Sequence, residues 1–214
     1  MKTKEFVMLE KRLLADLPGF TIKGALIFIP PVEHTLRGFH FEGSDFDKTS
    51  FYIWRFFLPL TVPQNHLSFS FGDRLRIKGA DRWSVKDSNF EKILADAMKD
   101  EIPCLNKLKR PEDVVEELMR LKDASKNPYI NEAFAYMSAR SGNFRAATEA
   151  LENLLALLDP SVRWQRDMAD RAQLLRRTLQ LGSDQVMHQL KDWETESILN
   201  LGLEKYRKEK TSEI

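Results

Sequence analysis

Two sets of residues in this chain have the types and spacing to do chemistry. The first is His34, His40, Asp45 and Asp47, gathered just ahead of an aromatic run at residues 51–60. Imidazoles and carboxylates together can bind a divalent metal or relay a proton. Such a set would serve a metal-dependent hydrolase or nuclease. Asp45 and Asp47, however, sit in a Gly-Ser turn, where aspartate is favoured because it accepts from its own backbone. His40 alternates with Phe39 and Phe41 and is expected to point outward. The second set is Glu132, Tyr136 and Arg140, whose spacing places them on one face of a helix. A tyrosine flanked by an acid and an arginine has the composition of a protein-binding hot spot. Arg176 extends the same surface if the next helical hairpin repeats the arrangement. No phosphate loop, dinucleotide fingerprint, zinc signature or nucleophile elbow is present.

The elements that must position these residues are of two kinds. In the run 51–60 the even positions are Tyr52, Trp54, Phe56, Leu58 and Leu60, and the odd ones are Phe51, Ile53, Arg55 and Phe57. Side chains alternate faces along a strand, so both faces are apolar apart from Arg55, the pattern of an inner strand covered on both sides. Trp54 is expected to be buried against a helix at residues 3–17 or 88–101. Arg55 is expected to pair with Asp73 or another carboxylate of the neighbouring strand, or to stack over the neighbours of Trp54 or Phe57. Leu67, Phe69 and Phe71 alternate with His66, Ser68 and Ser70, which predicts a half-buried strand at residues 66–71. Further strands are predicted at 20–29 and 36–42. Phe6, Leu9, Leu13 and Leu17 form the stripe of an N-terminal helix. Ser88-Asn-Phe-Glu91 reads as a capping box, Pro103 as the end of the helix it opens, Pro111 as the first residue of the next, and Asn127-Pro128 as the start of a third.

Phenylalanine, glycine and proline crowd the front of the chain, while Leu, Ala, Arg, Glu and Gln dominate the back. The expected fold is therefore α+β. Its front, residues 1–125, holds an N-terminal helix, about four antiparallel strands and closing helices. Its back, residues 126–214, is all helical hairpins.

The stretch 131–160 resembles a tetratricopeptide repeat: Phe134-Ala135, the turn Gly142-Asn143-Phe144, Ala147, Leu151 and Pro160 stand in the motif's order. It departs at Asn131, Ser138 and Leu154, and Pro160 falls one position late. A weaker copy follows in Leu174-Leu175, Gly182, Val186 and Leu190. The front resembles an uncharacterised bacterial α+β domain family through Gly19-Phe20, the run 51–60 and Ile102-Pro103-Cys104-Leu105. Small proteins related to that family often sit beside bacterial toxins. The resemblance thus implies an immunity or antitoxin-like partner.

The 214 residues carry 33 basic and 32 acidic side chains, a net charge of +1. So even a balance argues against a nucleic-acid or anionic-membrane binder. Basic residues Lys107, Lys109 and Arg110, and Arg163, Arg166, Arg171, Arg176 and Arg177, read as solvated helix faces. Asp73, Arg74 and Arg76 read as the solvated end of a strand. The single Cys104 excludes an internal disulfide, and its apolar flank predicts a buried thiol. Cytoplasmic residence is expected, since neither a secretory leader nor a spanning apolar run appears. The favoured function is non-enzymatic binding of another protein, with no catalytic residue, metal ligand or cofactor assigned.

Overall fold

In the computed structural model, which describes residues 3–77, 79–121 and 124–207, the aromatic run becomes the centre of a sheet. It forms β4 (Ser50–Pro59), paired antiparallel along its length with β3 (Thr35–Gly43). Beyond β3 lie β2 (Leu26–Phe28) and then β1 (Thr21–Lys23). The other edge of β4 takes two short strands, β5 (Gly72–Arg74) against residues 54–56 and β6 (Arg82–Ser84) against residues 50–52. The protein is α+β, as expected, with a sheet of six strands rather than four.

The strands differ from expectation in three places, two of them with local causes. The stretch 20–29 is a hairpin, not one strand. Lys23 pairs with Leu26, and Gly24 at φ 61 supplies the left-handed turn residue between them. The stretch 66–71 is a loop, because Ser68 Oγ accepts from the Ser70 amide at 3.3 Å and lies 2.9 Å from Ser70 Oγ, a local alternative to the ladder. β6 carries no sequence pattern of its own and exists because β4 offers it an edge.

Among the described residues seven α-helices surround the sheet. The first, α1 (Thr3–Leu14), and the second, α2 (Phe90–Lys107), cover the face that carries Phe39, Phe41, Phe51 and Ile53. The capping box does not form. Asn89, at φ 62, precedes α2 without a side-chain cap, and Glu91 instead meets Arg12 of α1 at 2.7 Å. Nor does Pro103 end α2; the helix runs on so that Leu105 can bury.

The opposite face carries Leu36, Phe56 and Leu58 and is covered by α3 (Pro111–Arg120), α4 (Pro128–Arg140), α5 (Phe144–Leu157), α6 (Arg163–Leu179) and α7 (Ser183–Asn200). Asn127 caps α4 by accepting from Tyr129 N and Ile130 N, and Gly142 (φ 82) with Asn143 turns α4 into α5, both as the sequence predicts. The expected boundary at residue 125 falls in a short 3₁₀ turn, Ala124–Lys126, yet one apolar core runs from Phe28 and Leu58 through Tyr136 and Leu151 to Val186. Residues 208–214 of the expected back half lie outside the described residues. The chain returns to the sheet after α7. Lys23 Nζ donates to the carbonyls of Leu201 and Gly202 at its end, and Tyr206 OH donates to Ile22 O at 3.1 Å.

Glu10 is an exception within the α1 layer. It is fully covered, and among the described residues neither carboxylate oxygen has a hydrogen-bond partner. Burial disfavours the charged form and raises its pKa from 4.5 to about 7. The unfolded chain loses this proton near the ordinary value and the folded chain only near the raised one. Stability therefore falls as pH rises through that window. Glu10→Gln should change stability little at pH 4 and raise it by about 2–3 kcal/mol at pH 8. Urea denaturation at both pH values checks this; an equal effect at the two would mean that Glu10 contacts water.

Candidate functional site

The helices cover the second face of the sheet at one end only. Tyr52 and Trp54 share a face of β4 with Phe56 and Leu58. Phe56 and Leu58 are buried at 1% and 0% exposure, whereas Tyr52 and Trp54 remain half-buried. The expected burial of Trp54 against the N-terminal helix or α2 is not met, because those helices lie across the other face of the sheet.

Pairing across the sheet sets His40 of β3 on one side of Trp54 and Arg74 of β5 on the other. The Arg74 guanidinium lies 3.9 Å from the centroid of the Tyr52 ring and 5.0 Å from that of Trp54. Ion pairs to Asp81 at 3.1 Å and Glu42 at 3.6 Å hold it there. Glu42 also accepts from Trp54 Nε1 at 2.8 Å. Phe69, from the loop that replaced the expected strand, stacks on Trp54 at 5.6 Å and lies 4.6 Å from His40. Burial lowers the His40 pKa and favours the neutral ring, against the opposing pull of Glu42. The result is a row of planes, His40, Phe69, Trp54, Arg74 and Tyr52, each held by its neighbours. It offers a rigid aromatic and guanidinium surface, the kind that gains affinity at an interface with little ordering cost.

Alternation alone assigned Tyr52 and Trp54 to the core. The signal against that lay in β3, where His40 and Glu42 stand opposite Trp54 and Tyr52. A polar neighbour on each side of a pair marks the wet end of a face.

Glu132, Tyr136 and Arg140 do share one face of α4, but that face is not open. Glu132 and Tyr136 are buried at 1% and 0% exposure because α6 and α7 fold back over it. Glu132 pairs with Arg171 of α6 at 2.9 Å, and Tyr136 stacks on Trp193 of α7 at 5.0 Å. Desolvation raises the pKa of Glu132 against the attraction of Arg171, and it raises that of Tyr136 further, with Glu132 adding to the effect. Arg140, half-exposed, approaches Glu194 of α7 at 4.0 Å. The expected solvent-facing surface is thus an internal interface. Arg176 stays exposed on α6, apart from the other three.

The His/Asp set is not brought together either. His34 immediately precedes β3 and His40 lies within it, about 20 Å along the chain at an extended rise of ~3.3 Å per residue. His34 is buried beside Arg140, and burial, then that cation, lowers its pKa, while a hydrogen bond to the Lys109 backbone opposes the shift. His40 is half-buried under Phe69 rather than pointing freely outward. Asp47 accepts from Thr49 N at 2.9 Å, Thr49 Oγ1 at 2.8 Å and Ser50 Oγ at 2.7 Å, which hold it well below the usual carboxylate range. Asp45 is exposed. Among the described residues no group of three or more His, Cys, Asp and Glu is placed to hold a metal.

Arg55 pairs with Asp73 at 3.2 Å, as expected, and also with Glu101 of α2 at 3.4 Å. Cys104 is exposed, not buried; once α2 passes Pro103, Leu105 takes the inward position and Cys104 the outward one. Lys107, Lys109 and Arg110 are exposed, as are Arg163, Arg166 and Arg177, whereas Arg171 is drawn inward by Glu132. No helix among the described residues is long and apolar enough to cross a membrane. Comparisons with known protein families, with curated proteins and with solved structures find no match to this chain.

Proposed function

We propose that this protein acts by binding another protein, without catalysis, through the half-open sheet face built on Tyr52, Trp54 and Arg74. The observation that carries this reading is the fixed stack itself. A tryptophan and a tyrosine stay half-exposed while one arginine, paired to two carboxylates, packs over both. Trp, Tyr and Arg are the side chains on which interface energy concentrates. Holding them in place before contact removes part of the ordering cost of association. In keeping with the resemblance of the front, the partner is proposed to be a toxin-like protein met in the cytoplasm. The hydrolase or nuclease alternative has weaker support, since its two histidines stand six residues apart along β3 and its surroundings.

Trp54→Ala and Arg74→Ala separate binding from folding. Because Trp54 is only half-buried, its truncation should cost about 1–2 kcal/mol of stability, the scale of its stacking and cation–π contacts. Each change should weaken capture of the partner by more than about 2 kcal/mol, or roughly 30-fold. The measurement is affinity capture from a lysate of the native host, with wild type and variants side by side and quantified by mass spectrometry. An identical captured set on wild type and on both folded variants would sink the reading.

A further inference from the structure

The turn between β3 and β4 holds a phenylalanine out in water. Phe46 is 96% exposed, whereas every other phenylalanine of the chain is buried or half-buried. The turn does not need that ring, because polar groups set its shape. Ser44 N donates to Ser50 O at 3.1 Å and Ser50 N to Asp47 O at 3.0 Å, which closes the loop. The Asp47 carboxylate accepts from the amide and hydroxyl of Thr49 and from the hydroxyl of Ser50. Ser44 Oγ accepts from the Phe46 amide at 3.3 Å. None of these bonds uses the Phe46 side chain, so a polar residue at 46 would serve the turn equally well.

A lone exposed apolar residue is ordinary on a protein surface. Phe46 differs in two respects. Its turn is pinned by hydrogen bonds on both sides of the ring, and it adjoins the open end of the Tyr52–Trp54 face. Ser50, at the base of the turn, is two residues from Tyr52 on β4, or ~7 Å at ~3.3 Å per residue. An interface covers roughly 800 Å² of each partner, a disc about 30 Å across. One partner resting on Tyr52, Trp54 and Arg74 therefore reaches the turn.

We propose that Phe46 is an anchor of the protein interface built on Tyr52, Trp54 and Arg74, and that the partner is a folded protein with a phenyl-sized apolar pocket that receives it. The inference rests on the reading of the Trp54 face given above. A ring presented on a pinned turn has little freedom left to lose on docking, and aromatic side chains are enriched where interfaces bury most. Asp45 and Lys48, both exposed, flank the ring with opposite charges, and the Asp47 carboxylate is engaged within the turn. The tip thus favours an apolar pocket over a charged one. A membrane anchor would instead need a broad apolar face bordered by cations.

The test immobilises the full chain in a lysate of the native host, as wild type, Trp54→Ala, Phe46→Ser and Phe46→Leu, with captured proteins quantified by mass spectrometry. A protein whose capture falls in Trp54→Ala is the partner of that face. Phe46→Ser should capture at least about tenfold less of the same protein, and Phe46→Leu should keep most of it. The melting temperature of Phe46→Ser should match that of wild type, because so exposed a ring carries no packing. Phe46→p-benzoylphenylalanine should photocrosslink to that protein. The same photoprobe at Leu181, an exposed residue between α6 and α7, should not. Undiminished capture by Phe46→Ser, absence of the crosslink from position 46, or an equal crosslink from Leu181 would overturn the anchor and leave the Trp54 reading standing. Identical capture by wild type and Trp54→Ala would remove that reading, and the anchor with it. Cosedimentation of wild type, but not of Phe46→Ser, with mixed phosphatidylcholine–phosphatidylserine vesicles would place the ring in a membrane and equally overturn the proposal.

Discussion

Tyr136→Ala should destabilise the protein by about 3–5 kcal/mol, the cost of emptying a large buried site that its surroundings cannot refill. Tyr136 is wholly buried, and its ring lies nearly parallel to that of Trp193, at 19° and 5.0 Å. It also sits beside the Glu132–Arg171 pair, which is buried on the Glu132 side. Truncation removes the stack and opens a void against a buried carboxylate, so both effects act in one direction. Tyr136→Phe keeps the ring and should cost only about 1 kcal/mol, the scale of one hydroxyl interaction. Chemical denaturation of the two variants gives the comparison directly. A cost below about 1 kcal/mol for Tyr136→Ala would mean that α6 and α7 leave this face of α4 open in solution, and would restore it as a docking surface.

The second large effect is expected at Gly38. A Cβ placed there would lie 2.1 Å from the Ile27 carbonyl oxygen and 2.7 Å from Phe28 Cα. Both atoms are backbone, so no side chain can swing aside. Relief requires β2 to part from β3, which would break the pairing Ile27↔Phe39 and Phe28↔Gly38. Gly38→Ala should therefore cost more than about 4 kcal/mol or prevent folding, beyond ordinary overpacking. Gly142→Ala is the contrast. Nothing lies within 4 Å of its Cβ position, so only the left-handed backbone at φ 82 resists the change, at a cost of about 1–2 kcal/mol. Thermal denaturation of the pair separates the two causes; similar melting temperatures would show that β2 yields without losing its place.

Much of the architecture was legible because its signals are local. The period of a strand or helix follows from backbone geometry, so alternation placed Phe39 with Phe41, Phe51 with Ile53, and Phe56 with Leu58, and the register then set the first two pairs on one face. Asn127, Pro111, Gly142 and Asn143 marked helix ends because capping is decided within a few residues. Some local signals misled where other interactions competed: Ser68 turned a strand pattern into a loop, Glu91 met Arg12 instead of capping α2, and burial of Leu105 carried α2 past Pro103.

The site is different in kind. Periodicity names the residues of a face but not what comes to cover it. Glu132, Tyr136 and Arg140 form the polar stripe that water would favour, yet Arg171 and Trp193 come from helices formed later in the chain and close it. Tyr52 and Trp54 form the apolar stripe that a core would favour, yet the helices on that side stop at Phe56. The sequence by itself determined the order of the elements and the faces they present, through geometry that each residue carries. Only the tertiary structure decided which faces meet, because that depends on competition among distant segments for a limited apolar surface, and it left a tryptophan and an arginine at the edge of the one contact that ends short.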